Sequence, residues 1–359
     1  MYAVEQTILA GRGRHPWSPT CLRPAGLVSP SRIDPRGLSG PTPGQARGPR
    51  WRQCAPGWYV PSDVDARVVE QRILEQAARL PQEGAITGWA ALRWRGAAFF
   101  DGRGNGGRTM LPVPLAIGPI GNVRLDSRAQ IRREQFAPSE WEEVAGLRCA
   151  TVQRALFDEM RRTGSLRLAV RAFDMAAAAR LISLRLMNEH VATHRSGWTG
   201  VPLVREALAL ASEHSLSPPE CDMRLIWVID AGLPAPLCNQ PVFDLRGDLL
   251  GYPDLFDPEA GVLGEYDGED HKSVERHRDD VAREQCFRDH GLEYFTVVRG
   301  DTSDRRMVAR RMLAARGRAR FLPEDRRAWT LQPPAWFDVP MQLDEWLIAT
   351  GRAVDLTHR

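Results

Sequence analysis

Asp254, Glu265, Asp267 and His271 fall within one short stretch, Gly-Tyr-Pro-Asp-Leu-Phe, then a turn, then Val-Leu-Gly-Glu-Tyr-Asp-Gly-Glu-Asp-His. Two apolar runs, 249–256 and 262–267, flank Asp257-Pro258-Glu259-Ala260-Gly261, where Pro presets φ and Gly supplies the left-handed residue of a hairpin turn. Asp254 and Glu265 are therefore expected on adjacent strands. Side chains alternate along a strand, so Glu265 and Asp267 project from one face about 7 Å apart, with His271 just past a glycine turn. Each added carboxylate disfavours ionisation of the next by roughly one pKa unit or more unless a cation sits among them. Mg²⁺ takes one or two carboxylates, several waters and phosphate oxygens, so the pattern suits hydrolysis of a phosphodiester better than a structural cage. The competing reading is a solvated acidic hairpin. Against it, these acids interrupt apolar strands, where an unpartnered charge is disfavoured.

The elements that would position them read in order. Ser217-Pro218-Pro219-Glu220 opens a helix running to about residue 230, with Met223, Ile226 and Trp227 apolar. Residues 237–243 form a strand, 244–248 its turn, and the two acid-bearing runs the next strands. A helix over 273–290 carries Val281, Cys286 and Phe287 on its apolar side, Gly291 ends it, and 292–298 is a strand rich in β-formers. A basic helix over 303–319 follows.

Glu220, Asp254, Glu265-Tyr266-Asp267-Gly268 with His271, and Asp280 with Arg283, in this helix-and-strand order, resemble the very-short-patch-repair-type branch of the PD-(D/E)XK nucleases. The resemblance covers the chain from about residue 201 and implies an α/β fold, a restriction-endonuclease-like αβββαβ core with a mixed sheet. It implies Mg²⁺, with Mn²⁺ as a substitute, held by Asp254 and Glu265, a water or second metal oriented by Glu220, and proton transfer by His271. The common pattern of that superfamily places Lys two residues after the strand acid, where this chain has Asp267. Arg283 is the better substitute cation, because a helix packed on the sheet can aim it inward. Lys272, the only lysine of the chain, is the other.

The whole chain of 359 residues is long enough for two or three domains, and 43% hydrophobic content is enough for real cores. A net charge of +3 does not by itself require a polyanion, but its distribution is uneven. Residues 1–60 carry eight Arg against Glu5 and Asp34, and 299–320 carry eight against Asp301 and Asp304, which fits phosphate gripped away from a metal site. Arg305 and Arg306 are candidates for that contact, with Lys272 beside the acids. The six cysteines form no C-x-x-C pair, which argues against zinc and against a disulfide framework. No long apolar run or signal-peptide core is present, so the expected compartment is the cytoplasm and no membrane partner is expected.

Residues 1–50 are rich in Pro, Gly and Arg and are expected to be partly disordered. The segment 51–60, aromatic and basic around Pro56-Gly57, reads as a two-stranded wing that lays Arg52 along DNA phosphate, with Trp51, Trp58 and Tyr59 as core aromatics. Helices are expected over 64–80 and 86–94, strands over 110–117 and 122–132, and helices over 181–194 and 201–214. Arg154 and Asp158, one turn apart, read as a modest surface pair. The phrase Leu147-Arg148-Cys149-Ala150-Thr151-Val152-Gln153-Arg154-Ala155-Leu156-Phe157-Asp158 and the alanine-rich helix near 173–179 resemble the antitoxin of abortive-infection toxin-antitoxin systems over about residues 50–195. That resemblance implies an α+β region with a winged-helix DNA-binding head, degenerate in its first fifty residues. The expected division is thus 1–50, 51–200, 201–320 and a tail, 321–359, docked on the body. The expected function is a Mg²⁺-dependent DNA endonuclease of repair or defence type. The alternative is a non-catalytic DNA-binding regulator or antitoxin with a nuclease-like scaffold. Its partners would be DNA and a toxin or repair protein.

Overall fold

The structure, a computed structural model, describes residues 19–104, 106–268 and 274–352. It is a mixed α/β chain in two compact units, Pro19–Ala172 with Arg185–Arg205, and Phe173–Leu184 with Glu206–Arg359. No helix among the described residues is long and apolar enough to cross a membrane.

The first unit runs through β1 (Trp51–Ala55), β2 (Trp58–Pro61), α1 (Val69–Ala77), β3 (Ala85–Ile86), α2 (Gly88–Trp94), β4 (Val113–Ala116), β5 (Ala129–Arg132), β6 (Trp141–Val144), β7 (Leu147–Ala150) and α3 (Val152–Arg162). β1 and β2 pair antiparallel around a turn whose Gly57 sits at φ +80°, so the expected hairpin is present. The other five strands form one mixed sheet, β5-β4-β3-β7-β6. From residue 19 the Pro- and Gly-rich segment lies along this unit: Thr20 bridges Ala97, and Ser31 bridges Tyr59.

In α3, Thr151 caps the first turn, and Ala155, Leu156, Phe157 and Met160 are completely buried. Arg154 and Asp158 are buried with them, so the expected surface pair is instead part of the core. A charge withdrawn from water persists only among partners that replace its hydration. Arg154 finds Asp158 and Glu140, each at 3.0 Å, the carbonyl of Gln135 at 2.9 Å, and the Trp198 ring 4.8 Å away. Helices α4 (Leu166–Ala178), α5 (Leu184–His194) and α6 (Val201–Ala209) contain the boundaries between the units.

The second unit continues with α7 (Pro218–Leu225), which ends in a π turn, Ile226–Asp230. Then come β8 (Val242–Asp244), β9 (Leu249–Gly251), β10 (Leu255–Asp257), β11 (Val262–Asp267), α8 (Val274–Asp289), β12 (Glu293–Val298), α9 (Arg305–Arg318), β13 (Trp329–Thr330) and α10 (Leu343–Ala349). β10 and β11 are antiparallel, and β11 and β12 parallel across α8, giving a three-stranded mixed sheet. Alternation sorts the apolar residues of this sheet to two faces. Leu255, Val262, Phe295 and Val297 pack with Met223, Trp227, Val308 and Met312, while Phe256, Leu263 and Tyr294 pack with Phe287 and Trp329. Gly264 is required on the first face, since a Cβ there would lie 2.2 Å from the Phe295 ring. In the C-terminal segment β13 pairs with β8, and the Phe337 ring lies 5.0 Å from that of Phe243.

Two expected strands are shorter than the apolar runs. Residues 249–256 do not form one strand, because the run breaks at Tyr252-Pro253-Asp254 and β9 and β10 belong to different sheets. Pro253 has no N–H to give a ladder, and its carbonyl instead accepts from the N–H of Asn239 at 2.9 Å. Of 237–243 only the end is strand, with Leu237 bridging Phe256. Val281, expected on the buried side of α8, is 53% exposed.

Candidate functional site

The turn between β10 and β11 forms as its sequence demands. Asp257 Oδ1 accepts from the N–H groups of Glu259 and Ala260 at 3.0 and 3.2 Å, and Gly261 takes φ +71°. The register that results pairs Leu255 with Gly264. One step further, Asp254 lies opposite Glu265, and directly opposed residues of an antiparallel pair share a face. Asp254 stands just before β10 and is tied across to β11, its Oδ2 accepting from the backbone N–H of Tyr266 at 2.7 Å. Its Oδ1 takes no hydrogen bond from the described residues.

Glu265, buried, is held by side chains. Its Oε2 accepts from the hydroxyl of Tyr294 on β12 at 3.0 Å and from the guanidinium of Arg283 on α8. Glu220 enters from α7. Ser217 Oγ caps that helix by accepting from the N–H of Glu220 at 3.4 Å, and the Glu220 carboxylate turns back to accept from the N–H of Leu216 and from Asn239 Nδ2, both at 2.9 Å. Asn239 is therefore pinned at both ends, through its backbone to Pro253 and through its side chain to Glu220. This links the neighbour of Asp254 to the acid on the helix.

The charges of these groups act on one another. Burial lifts the Asp254 carboxyl well above its usual range, the charge of Glu220 lifts it further and that of Glu265 adds to this, while the Tyr266 N–H and Arg283 pull it down. Burial raises Glu220 as well, against the hydrogen bonds from Ser217, Leu216 and Asn239. Burial and then the Glu265 charge push the Tyr294 phenol up.

Of the residues singled out from the sequence, Glu220, Asp254, Glu265 and Arg283 come together. Asp267 ends β11 half-buried, its carbonyl accepting from the N–H of Arg299 at 3.0 Å. His271, Lys272 and the side chain of Asp280 lie outside the described residues. Arg305 and Arg306 are exposed in the first turn of α9. Arg52, expected along DNA phosphate, has both its terminal nitrogens engaged with Glu75, at 3.1 and 2.7 Å. A carboxylate buried on α1 needed a cation, and the adjacent hairpin supplies it. Tyr294 and Asn239 were not among the sequence candidates. Tyr294 reads there as one more β-former, and Asn239 as one residue of the strand expected over 237–243.

Among the described residues no group of three or more His, Cys, Asp or Glu is placed to hold a metal ion. Asp254 and Glu265, the two acids expected from the resemblance to hold Mg²⁺, are a pair rather than such a group. Two carboxylates are enough for an ion that keeps several waters, and the ionisation of Asp254, disfavoured by burial and two neighbouring acids, is what a divalent cation would relieve.

What the fold and site define is a mixed α/β protein with three carboxylates and an arginine gathered beside a three-stranded sheet. Comparison of the chain with protein-family models, with curated proteins and with solved structures finds no match.

Proposed function

We propose that the second unit is a Mg²⁺-dependent DNA endonuclease with a restriction-endonuclease-like core. The observation that carries this reading is the meeting of Asp254, Glu265 and Arg283. The acid just before β10 lies opposite the acid on β11, and a cation reaches the second from α8. Asp254 and Glu265 would hold the metal, which supplies Lewis-acid polarisation of the phosphate and a more acidic bound water. Glu220, fixed by Leu216 and Asn239, orients a water on the side of α7. Arg283 delivers the positive charge that Asp267, itself an acid, lacks, and His271 remains the candidate for proton transfer. Tyr294 fixes the rotamer of Glu265.

A second reading, a DNA-binding regulator or antitoxin on a nuclease-like scaffold, draws on the same contact. An acid already paired with a guanidinium has its charge compensated without metal. Nicking of supercoiled plasmid in Mg²⁺ or Mn²⁺, by wild type and Asp254→Asn, separates the two. The nuclease reading expects metal-dependent nicking by wild type and a loss of at least a hundredfold in the variant. Equal nicking by both, or none by wild type on preparations that bind DNA, refutes it.

A further inference from the structure

We propose that Arg305, Arg306 and Arg310 on α9 form the surface that grips the phosphates of a DNA duplex beside the carboxylates. This rests on the DNA-directed reading above. α9 sorts its arginines into two sets. Arg311 pairs with Asp301 at 2.7 Å, Arg316 with Asp257 at 2.9 Å and Glu259 at 3.0 Å, and Arg318 with Glu293 at 3.1 Å. These three fasten the helix to the hairpin and to β12. Arg305, Arg306 and Arg310 are exposed, and no carboxylate of the described residues pairs with them. Four carboxylates beside this helix, Asp301, Asp257, Glu259 and Glu293, are thus taken by the first set, and of the exposed first turn only Asp304, which caps the helix, is acidic.

Topology brings that charge to the right edge. Asp267, the last residue of β11, pairs with Val298, the last of β12. The chain then turns through Gly300 at φ +94°, and Asp304 caps α9 by accepting from the N–H of Met307 at 3.1 Å. The first turn of α9 therefore rises from the edge of the sheet at which β11 delivers its acids. Arg306 and Arg310 are one helical turn apart, roughly 6 Å along the axis, with Arg305 adjacent. A duplex carries one charge per ~1.7 Å of its axis, so each of the three can take its own phosphate.

The chemistry favours nucleic acid over a lipid surface. A helix that lies on a membrane needs a free apolar face, whereas Val308, Ala309, Met312 and Ala315 are all buried against the sheet. An acidic protein is the remaining competitor.

The experiment measures binding of full-length protein to a short labelled duplex by fluorescence anisotropy, in EDTA so that no cutting intervenes, across 0.05–0.2 M salt (roughly the range over which phosphate contacts are lost). It compares wild type, the triple variant Arg305→Ala/Arg306→Ala/Arg310→Ala, and Arg326→Ala, an exposed arginine elsewhere in the unit. Each lost phosphate contact removes about 0.9 from the slope of log K against log salt. The triple variant is expected to flatten the slope by about 2.7 and to bind about two orders of magnitude more weakly at ~0.1 M salt, with Arg326→Ala unchanged. An unchanged slope in the triple variant, or an equal loss in Arg326→Ala, overturns the proposal. So does displacement of the duplex by polyglutamate as readily as by unlabelled duplex, which would assign the surface to an acidic protein. The two readings fail separately. Duplex binding that the triple variant loses, from a protein that never nicks, removes the nuclease and leaves this surface. Nicking with unaltered binding in the triple variant removes this surface and leaves the nuclease.

Discussion

Replacing Asp174 by Asn tests how α7, and with it Glu220, is held in place. Asp174 is completely buried; its Oδ2 meets Arg224 Nη2 at 2.6 Å, and its Oδ1 accepts from the N–H of Ser212 at 2.8 Å. Arg224, on α7, also donates to the Leu210 carbonyl and to Ser215. Burial lifts the Asp174 carboxyl above its ordinary range despite the pull of Arg224, so the charged pair offsets a desolvation penalty rather than adding net stability. Removing one partner leaves an uncompensated buried guanidinium, which costs about 3–5 kcal/mol. Asn keeps an acceptor for Ser212, so about 3 kcal/mol is expected for Asp174→Asn. Replacing both charges by apolar groups, Asp174→Leu with Arg224→Met, should restore stability to within about 1 kcal/mol of wild type. Urea denaturation followed by tryptophan fluorescence reads this, with Trp227 reporting from the turn that extends α7. A single variant destabilised by less than about 1 kcal/mol, or a double variant no better than the single one, would refute the reasoning.

Tyr294→Phe removes the hydroxyl that fixes Glu265; with DNA affinity in EDTA unchanged, metal-dependent nicking should fall about tenfold, the equivalent of one hydrogen bond of ~1.4 kcal/mol. Gly264→Ala drives a Cβ into the Phe295 ring and should destabilise the protein by about 1–3 kcal/mol in the same urea titration. His190 accepts from Arg195 Nε at 3.1 Å, and burial first, then Arg195, lowers its pKa to about 3. The unfolded chain binds that proton below ~6.5 and the folded one does not, so His190 should cost about 1.4 kcal/mol of stability per pH unit as pH falls from ~6.5 towards 3. Denaturation midpoints at several acidic pH values, with His190→Gln as the reference that lacks this contribution, check the slope as a difference.

The hairpin was legible because its turn residues and its apolar runs agree. Pro258 and Gly261 set the loop, and the register follows from the burial of Leu255, Phe256, Val262 and Leu263. The capping serine of α7 and the facing of Asp254 and Glu265 were legible for the same local reason, whereas Glu220 was singled out only through the resemblance. What depends on distant partners was not. Pro253 looked like a residue within a strand because the carbonyl-to-Asn239 contact that uses the break lies in another segment. Arg52 looked free because Glu75 sits on a helix whose buried side the sequence does not mark for a carboxylate. Arg154 and Asp158 matched a surface i,i+4 pattern, and it is partners from other segments, Glu140, the Gln135 carbonyl, Thr87 and the Trp198 ring, that make them a core pair.

The two facing acids differ in how exposed their aim is to mutation. Asp254 is steered by a main-chain donor at position 266, which every amino acid except proline would still provide, so exchanges on that strand can drift without swinging it. Glu265 is steered by the tips of two side chains, either of which a single codon change removes. In a saturation library scored for activity, sensitivity should therefore spread outward from Glu265 to positions 283 and 294, while around Asp254 it should stay confined to the acid itself.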